Sequence, residues 1–236
     1  MADEEFNHPR LAALYDVFEG SRDDLDPYLA VAASLSASHV VDIGCGTGVL
    51  ALLLADRGIA VTGVDPALAS LDVARAKPGA SRVRWIHGTA TDLPPLSADL
   101  AFMTANVAQA IVDPADWSAT LSGAATALRP GGVLMFETRI PARQAWLGWN
   151  REQTRTVVDG VQTWVDVLDV SGPLVTFRWT WIFPDGERLT STSTLRFRDR
   201  PEVEADLQAH GFTVTDLRDA PDRPGREFVF LATKSA

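Results

Sequence analysis

Gly44, Gly46 and Gly48 alternate with Cys45 and Thr47 in the run VVDIGCGTG, and an acid, Asp65, ends the run VTGVD seventeen residues after the last glycine. Residues without a Cβ let the chain turn sharply and let a ligand lie against bare backbone, at the carboxyl end of a strand where open α/β sheets bind ligands. A carboxylate at Asp65 can accept both hydroxyls of a ribose, and its charge would repel a ribose phosphate. A dinucleotide fingerprint is spaced G-x-G-x-x-G and would need its third glycine at position 49, which is valine. The spacing leans away from a nicotinamide dinucleotide.

Other polar residues stand where they could meet the same crevice. His87 ends a short apolar run and could approach a cofactor, although a lone histidine beside a buried strand is more often structural. Asn106 and Gln109 follow a further strand in TANVAQAI; Asn106 could orient an amine or donate to a hydroxyl, and asparagine is also an ordinary loop residue. Glu137 and Arg139 close the next strand and could face a substrate or pair with each other. Cys45 has no base near it in sequence and reads as a small residue tolerated by close packing. His210, in AHGF at a helix end, complements the helix dipole as a cation. Trp146, Trp149, Trp179 and Trp181 could line an aromatic substrate pocket, or simply bury a β layer against the domain or a second subunit.

Positioning these groups requires strands that alternate with helices. Val40 to Ile43 reads as a buried parallel strand and Val49 to Arg57 as a helix stopped by Gly58. The pattern repeats with a strand over Ala60 to Asp65, a helix over Pro66 to Lys77, and strands over Val83 to His87 and Asp99 to Met103. Asp113, Pro114 and Asp116 supply an N-cap, a first-turn proline and an early acid for a helix running to Leu128, before RPGG and a strand over Val133 to Glu137. Such alternation indicates a parallel sheet with helices on both faces. From Val161 to Arg198 the period changes to two: Val175, Phe177, Trp179, Trp181 and Phe183 share one face, and a Pro-Asp-Gly turn leads to a Thr/Ser-rich partner. A helix over Pro201 to His210 and a closing antiparallel pair, Phe212 to Leu217 with Glu227 to Thr233, complete the chain.

The bulk numbers narrow the partners. With 236 residues there is room for one α/β domain with an embellishment or for two small domains. A net charge of −10 offers no basic footprint for a phosphate backbone, which argues against a nucleic-acid substrate. One cysteine forms no internal disulfide, and the four scattered histidines do not resemble a metal cluster, so no metal is expected. The acidic start MADEEFNHPR does not resemble a signal peptide and no apolar run approaches a membrane span of roughly 20 residues, so a cytoplasmic protein is expected.

Taken in order, VVDIGCGTG, GVDPA, HGTATDLP, DLAFMTANVAQ and LRPGGVLMFET resemble the motifs of the class I S-adenosylmethionine (SAM)-dependent methyltransferases. The resemblance implies an α/β fold: a doubly wound, mostly parallel seven-stranded sheet with a reversed final hairpin. On the present residues this becomes a single domain, with an N-terminal helical cap over 1–38, a cofactor-binding core over 39–140, a helix and antiparallel β-meander insertion over 141–200, and a closing helix and hairpin over 201–236. It also implies that Asp42, Gly44, Cys45, Gly46 and Gly48 line the methionine moiety and that Asp65, followed by Pro66, holds the ribose. The segment from Gly88 to Asp92 would edge the adenine, and Thr104 would border the cofactor after the fourth strand. Many relatives carry an acid right after the glycine of the adenine loop. Here that residue is Thr89, which leaves adenine to the Thr89 hydroxyl, to backbone near Ala90, or to Asp92. An N-terminal tyrosine often reaches the cofactor in relatives, a role open to Tyr15 or Tyr28, the two tyrosines of the chain; ordinary helix packing explains them equally.

The activity so implied is methyl transfer from SAM, leaving S-adenosylhomocysteine, to the nitrogen or oxygen of a small molecule by direct in-line displacement. Asn106, His87 and Glu137 are the candidate catalytic residues, with Asp92 a further proton acceptor for a hydroxyl substrate. A monomer or homodimer is expected. Two rivals share the crevice: a non-catalytic SAM-binding or regulatory protein, and an NAD-dependent oxidoreductase.

Overall fold

The computed structural model describes residues 3–235. Four short helices open it, α1 (Glu4–Asn7), α2 (Pro9–Ala12), α3 (Tyr15–Glu19) and α4 (Asp26–Ser34). There follow β1 (His39–Ile43), α5 (Val49–Asp56), β2 (Ala60–Asp65), α6 (Leu68–Ala76), β3 (Val83–His87), β4 (Ala98–Met103), α7 (Val107–Ala110), α8 (Pro114–Ala127) and β5 (Leu128–Arg139). The remainder is α9 (Arg151–Thr154), β6 (Thr156–Val158), β7 (Val161–Ser171), β8 (Leu174–Ile182), β9 (Arg188–Arg196), α10 (Arg200–Ala209), β10 (Phe212–Asp219) and β11 (Glu227–Lys234).

Seven strands form one sheet in the order β10-β11-β5-β4-β1-β2-β3, with β11 antiparallel to both of its neighbours and the other pairings parallel. This is the mixed α/β sheet with a reversed final hairpin that the motif order implies. Strand order reverses between β1 and β4, and the crevice of an open α/β sheet lies outside the carboxyl ends of the strands at that reversal. The glycine run after β1 and Asn106 after β4 therefore flank one opening.

Alternation along the strands sorts the core into two faces. Val41, Ala101, Met103, Leu134 and Phe136 pack with Trp117, Leu121 and Ala124 of α8 and Val203 and Leu207 of α10. Val40, Leu100, Phe102 and Met135 pack with Leu50, Ala51 and Leu54 of α5 and with Tyr28 and Leu29 of α4. Each large apolar side chain buried this way contributes roughly 1.5–3 kcal/mol. The helix starts follow local chemistry. Asp113 accepts from the Ala115 N–H at 2.7 Å ahead of Pro114, and Asp199 accepts from the Glu202 N–H at 2.9 Å ahead of Pro201.

The insertion is a separate antiparallel sheet, β6-β7-β8-β9. Val175, Phe177, Trp181 and Phe183 are buried on its inner face, as their alternation requires. β6 was not expected from the sequence, and the stretch 141–155 holds one-turn pieces in place of a longer helix. The helix expected from Pro66 begins at Leu68, because the Asp65 side chain takes the Ala67 N–H.

The opening helices tie the two sheets together. Arg10 lies 3.6 Å over the Phe183 ring and pairs with Asp185 at 2.7 Å and with Glu187. The Glu5 N–H donates to Ser191 Oγ of β9 at 2.9 Å, and Ser70 Oγ of α6 donates to the Phe6 carbonyl at 2.8 Å.

Candidate active site

The chain between β1 and α5 is held open by backbone geometry. Gly44, Gly46 and Gly48 all have φ between +51° and +78°. At Gly44 a Cβ would also lie 2.5 Å from Cγ2 of Val107, so the segment after β4 presses directly on the glycine. At Gly46 a Cβ would meet nothing within 4 Å, which leaves that face free for a ligand. The Gly46 N–H donates to Asp65 Oδ2 at 2.8 Å and the Ala67 N–H to Asp65 Oδ1 at 2.7 Å. Each carboxylate oxygen keeps acceptor capacity beyond its one backbone bond, so Asp65 is oriented before any ligand arrives. Burial raises the Asp65 pKa. Asp42 sits behind the loop, 1% exposed, and its Oδ1 has no hydrogen-bond partner among the described residues. Burial first, and the Asp65 charge second, push its carboxyl up to about 7. Cys45 is buried and free, and burial holds its thiol well above the usual range, which removes it as a nucleophile.

The opening helices clasp this loop. Thr47 Oγ1 donates to Asp16 Oδ1 of α3 at 2.6 Å, Lys77 pairs with Asp16, and Lys77 Nζ donates to the Thr47 carbonyl at 2.7 Å. Tyr15, one residue before Asp16, has its ring 5.9 Å from that of Phe6.

On the other side of Asp65, the Gly88 N–H donates to the Asp65 carbonyl at 3.0 Å. Asp92 folds back so that its Oδ2 accepts from the Thr89 N–H at 2.8 Å, while the Thr89 hydroxyl lies 2.7 Å from that of Thr91. Asp92 and Thr89 thus spend polar atoms on shaping their own turn. Ala90 is buried under α8, where the position of a Gly123 Cβ would fall 2.2 Å from the Ala90 carbonyl oxygen. His87 is exposed and its Nε2 donates to the carbonyl of exposed Pro66 at 3.2 Å. It stands at the sheet edge beside Asp65, three strands from β4 in the sheet order, and does not join Asn106 and Glu137.

Asn106 and Glu137 do come together. Ala105 and Asn106 are consecutive non-glycine residues at φ +56° and +61°, a conformation that persists only when the surroundings enforce it. The enforcement is visible: the Asn106 N–H donates to Glu137 Oε1 at 2.7 Å, and Nδ2 donates to Glu227 Oε1 at 3.2 Å. Tyr28 of α4 donates to Glu137 Oε2 at 2.5 Å, and Arg223 Nη1 donates to Glu227 Oε1 at 2.8 Å. Glu137 and Asn106 are only 2% and 3% exposed, so they stand behind the loop that Thr104 begins. Burial pushes the Glu137 carboxyl up to about 7, against the lowering effect of its Tyr28 and Asn106 donors. Arg139 does not pair with Glu137. It donates from Nη1 and its backbone N–H to Gln109 Oε1 at 3.2 Å and lies 5.5 Å from the Trp149 ring.

The sequence missed several contributors. Asp16, Lys77, Gly123, Glu227 and Arg223 take part through contacts that no local pattern announces, although a glycine inside the α8 run SGAATAL is itself a sign of close backbone approach. His210 is a structural residue, bonded to the Asp206 carbonyl and the Ser118 hydroxyl at 2.7 Å each. No group of three or more metal-ligating side chains occurs among the described residues, and no helix among them is long and apolar enough to cross a membrane.

The buried carboxylates give the fold a pH dependence. Asp42 and Glu137 ionise near 3.8 and 4.5 ordinarily and near 7 in the fold. Between those values the folded chain holds protons that the unfolded chain has lost, so stability falls as pH rises. Asp99, whose pKa the Arg129 guanidinium lowers, is ionised in both states above pH about 4 and adds no slope in this window. The unfolding midpoint of the ligand-free protein is therefore expected to be lower at pH 8 than at pH 5.5. A midpoint that rises across this range would contradict the account of the two buried acids.

A crevice at the strand-order reversal, a bare-backbone loop and an acid at the end of β2 are the parts of a ligand-binding site on a doubly wound sheet. The unpartnered Asp42 oxygen and the open face at Gly46 fit the amino-acid part of SAM, and the spare acceptor capacity of Asp65 fits its ribose. Residues 40–132 match the family described as methyltransferase domain. Malonyl-[acyl-carrier protein] O-methyltransferase of Serratia marcescens is 28% identical over 209 residues, covering 86% of this chain and 76% of that protein. Among solved structures, a SAM-dependent methyltransferase of Clostridium acetobutylicum superposes with a TM-score of 0.79 at 16% identity, covering 97% of this chain and 99% of the other. CalS10, an amino pentose methyltransferase of Micromonospora echinaspora solved with SAM bound, gives 0.69 at 20% identity, with 94% and 95% covered. The chain carries a methyltransferase domain over residues 40–132 on the fold of the SAM-dependent methyltransferases: it is an enzyme whose cofactor is SAM.

Proposed function

We propose that this enzyme methylates a nitrogen or oxygen atom of a small molecule by direct in-line displacement. The observation that carries the reading is Asp65, fixed by the Gly46 and Ala67 N–H groups at the mouth of the crevice and still able to accept from a ribose. SAM, when bound, supplies both the electrophilic methyl carbon and its leaving group, so the protein chiefly has to align and enclose. In this proposal Asp65 accepts the ribose hydroxyls, Asp42 offers its free oxygen to the amino-acid end, and the turn from Gly88 to Asp92 borders the adenine. Asn106 and Glu137 act as positioning residues that hold the strained loop after β4, since the Asn106 N–H and Nδ2 and both Glu137 carboxylate oxygens are spent on protein partners. The helices before residue 38 close the crevice through Asp16 and shield it from water.

A small acceptor is supported by that closure and by the net charge of −10, which disfavours nucleic acid. The Serratia relative is an O-methyltransferase and the Micromonospora neighbour is an amino pentose methyltransferase, so an oxygen acceptor and an amine-bearing substrate both occur among similar proteins. Action in the cytoplasm, which the single free thiol supports, belongs to the same proposal, as does a monomeric or homodimeric state. The test is release of S-adenosylhomocysteine from SAM across a panel of small amines, alcohols and carboxylic acids. Tight cofactor binding without turnover on any acceptor would favour a regulatory SAM-binding protein instead.

A further inference from the structure

A second cavity, of about 180 Å³, lies between the opening helices and the β6–β9 sheet. Its walls include Tyr15 and Phe18 of α3 and, opposite, Trp179 and Trp181 of β8, whose rings lie 6.0 Å apart at 29°. Glu5 and Glu19 share the same walls, and no basic side chain lines it among the described residues. The charges that act on Glu5 are the acids Asp3 and Glu19, and burial with their repulsion pushes its carboxyl up to about 8. Arg22 and Arg223 act on Glu19 from outside the cavity lining, and their direct ion pairs are with other acids, Arg22 with Asp24 and Arg223 with Asp222 and Glu227.

Two carboxyl groups on the wall of an aromatic cavity whose own lining holds no basic side chain form an environment complementary to an ammonium. Cavities of roughly 150 Å³ hold a benzene-sized ligand, so this one accommodates a single six-membered ring. Its wall residue Tyr15 is the chain neighbour of Asp16, which accepts from Thr47 of the cofactor loop.

Resting on the methyltransferase reading above, we propose that this cavity is the acceptor subsite and that it takes a small cyclic amine in its ammonium form. The ring lies among Trp179, Trp181, Tyr15 and Phe18, and the charge is met by Glu5 and Glu19.

The test uses the full chain saturated with S-adenosylhomocysteine and titrated calorimetrically with cyclohexylamine and with cyclohexanol, its neutral counterpart. The amine is expected to bind about tenfold more tightly than the alcohol. Glu5→Gln should bring the two within about twofold of each other, with its unfolding midpoint in the same buffer showing that it is folded; Trp179→Leu should weaken both ligands. Equal binding of the two probes by the wild type would overturn the proposal, as would a preference that survives both Glu5→Gln and Glu19→Gln. Displacement of S-adenosylhomocysteine by the amine would also overturn it, by giving the cavity to the cofactor. A wild type that fails to bind S-adenosylhomocysteine would instead strike the cofactor assignment, and this proposal with it.

Discussion

Asp65→Ala is expected to remove SAM and S-adenosylhomocysteine binding while leaving a folded protein. At about 100 times its dissociation constant a ligand that binds only the folded state adds about 2.7 kcal/mol, which appears as a raised unfolding midpoint. Hydrogen bonds to a charged acceptor contribute roughly 1.5–3 kcal/mol each, so losing both ribose contacts should weaken the cofactor by at least about a hundredfold. The ligand-free protein should change little. The substitution strands the Gly46 and Ala67 N–H groups, but it also removes a carboxylate whose pKa burial has raised. Asp65→Asn should be intermediate, since an amide keeps one acceptor oxygen and places a donor where the other stood. NAD serves as the control ligand and should not move the midpoint of any of the three proteins. A full ligand-induced shift in Asp65→Ala would overturn the assignment of Asp65 to the ribose.

Gly123→Ala gives a test of sign. Inside a helix, replacing glycine by alanine ordinarily gains about 1 kcal/mol. Here the added methyl would lie 2.2 Å from the Ala90 carbonyl oxygen and 2.6 Å from its carbon, both main-chain atoms of the turn proposed to border the adenine. No flexible side chain can yield at that contact. Either α8 lifts, opening the Trp117, Leu121 and Ala124 packing against the sheet, or the turn from Gly88 to Asp92 shifts. Overpacking of this kind costs typically 1–3 kcal/mol, so the midpoint should fall by several degrees rather than rise. Cofactor affinity should fall as well, because Ala90 and Thr89 move with the turn. A stabilised variant with unchanged cofactor affinity would show that α8 and the turn have slack that the geometry denies.

The frame was legible in the sequence because buried parallel strands write themselves as short apolar runs. Val40 to Ile43 and Asp99 to Met103 stand out from their polar flanks, and the glycines and Asp65 are marked by residue type alone. What escaped depends on residues distant in the chain. Tyr28 and Glu137 lie 109 positions apart, and Asn106 and Glu227 lie 121 apart, so only the folded sheet brings them into one network. β6 escaped for a different reason: three exposed or half-exposed residues carry too little pattern to separate a strand from a loop. The aromatic residues were read as one group and fold into two. Trp146 and Trp149 pack on Phe197 and Phe177, whereas Trp179 and Trp181 face the opening helices. Helix-to-sheet contacts across the insertion decided that division, and periodicity within a strand carries no information about them.

The short helix α3 has one more consequence, and it concerns timing. Tyr15 forms part of the wall of one chamber and Asp16 latches the loop of the other, yet the two residues are neighbours on five residues of helix. In the proposed enzyme, a displacement of α3 that moves Tyr15 out of the aromatic wall would also draw Asp16 from Thr47, so the two compartments would open together. On that arrangement, access of cofactor and acceptor would be timed by one movement of five residues of helix.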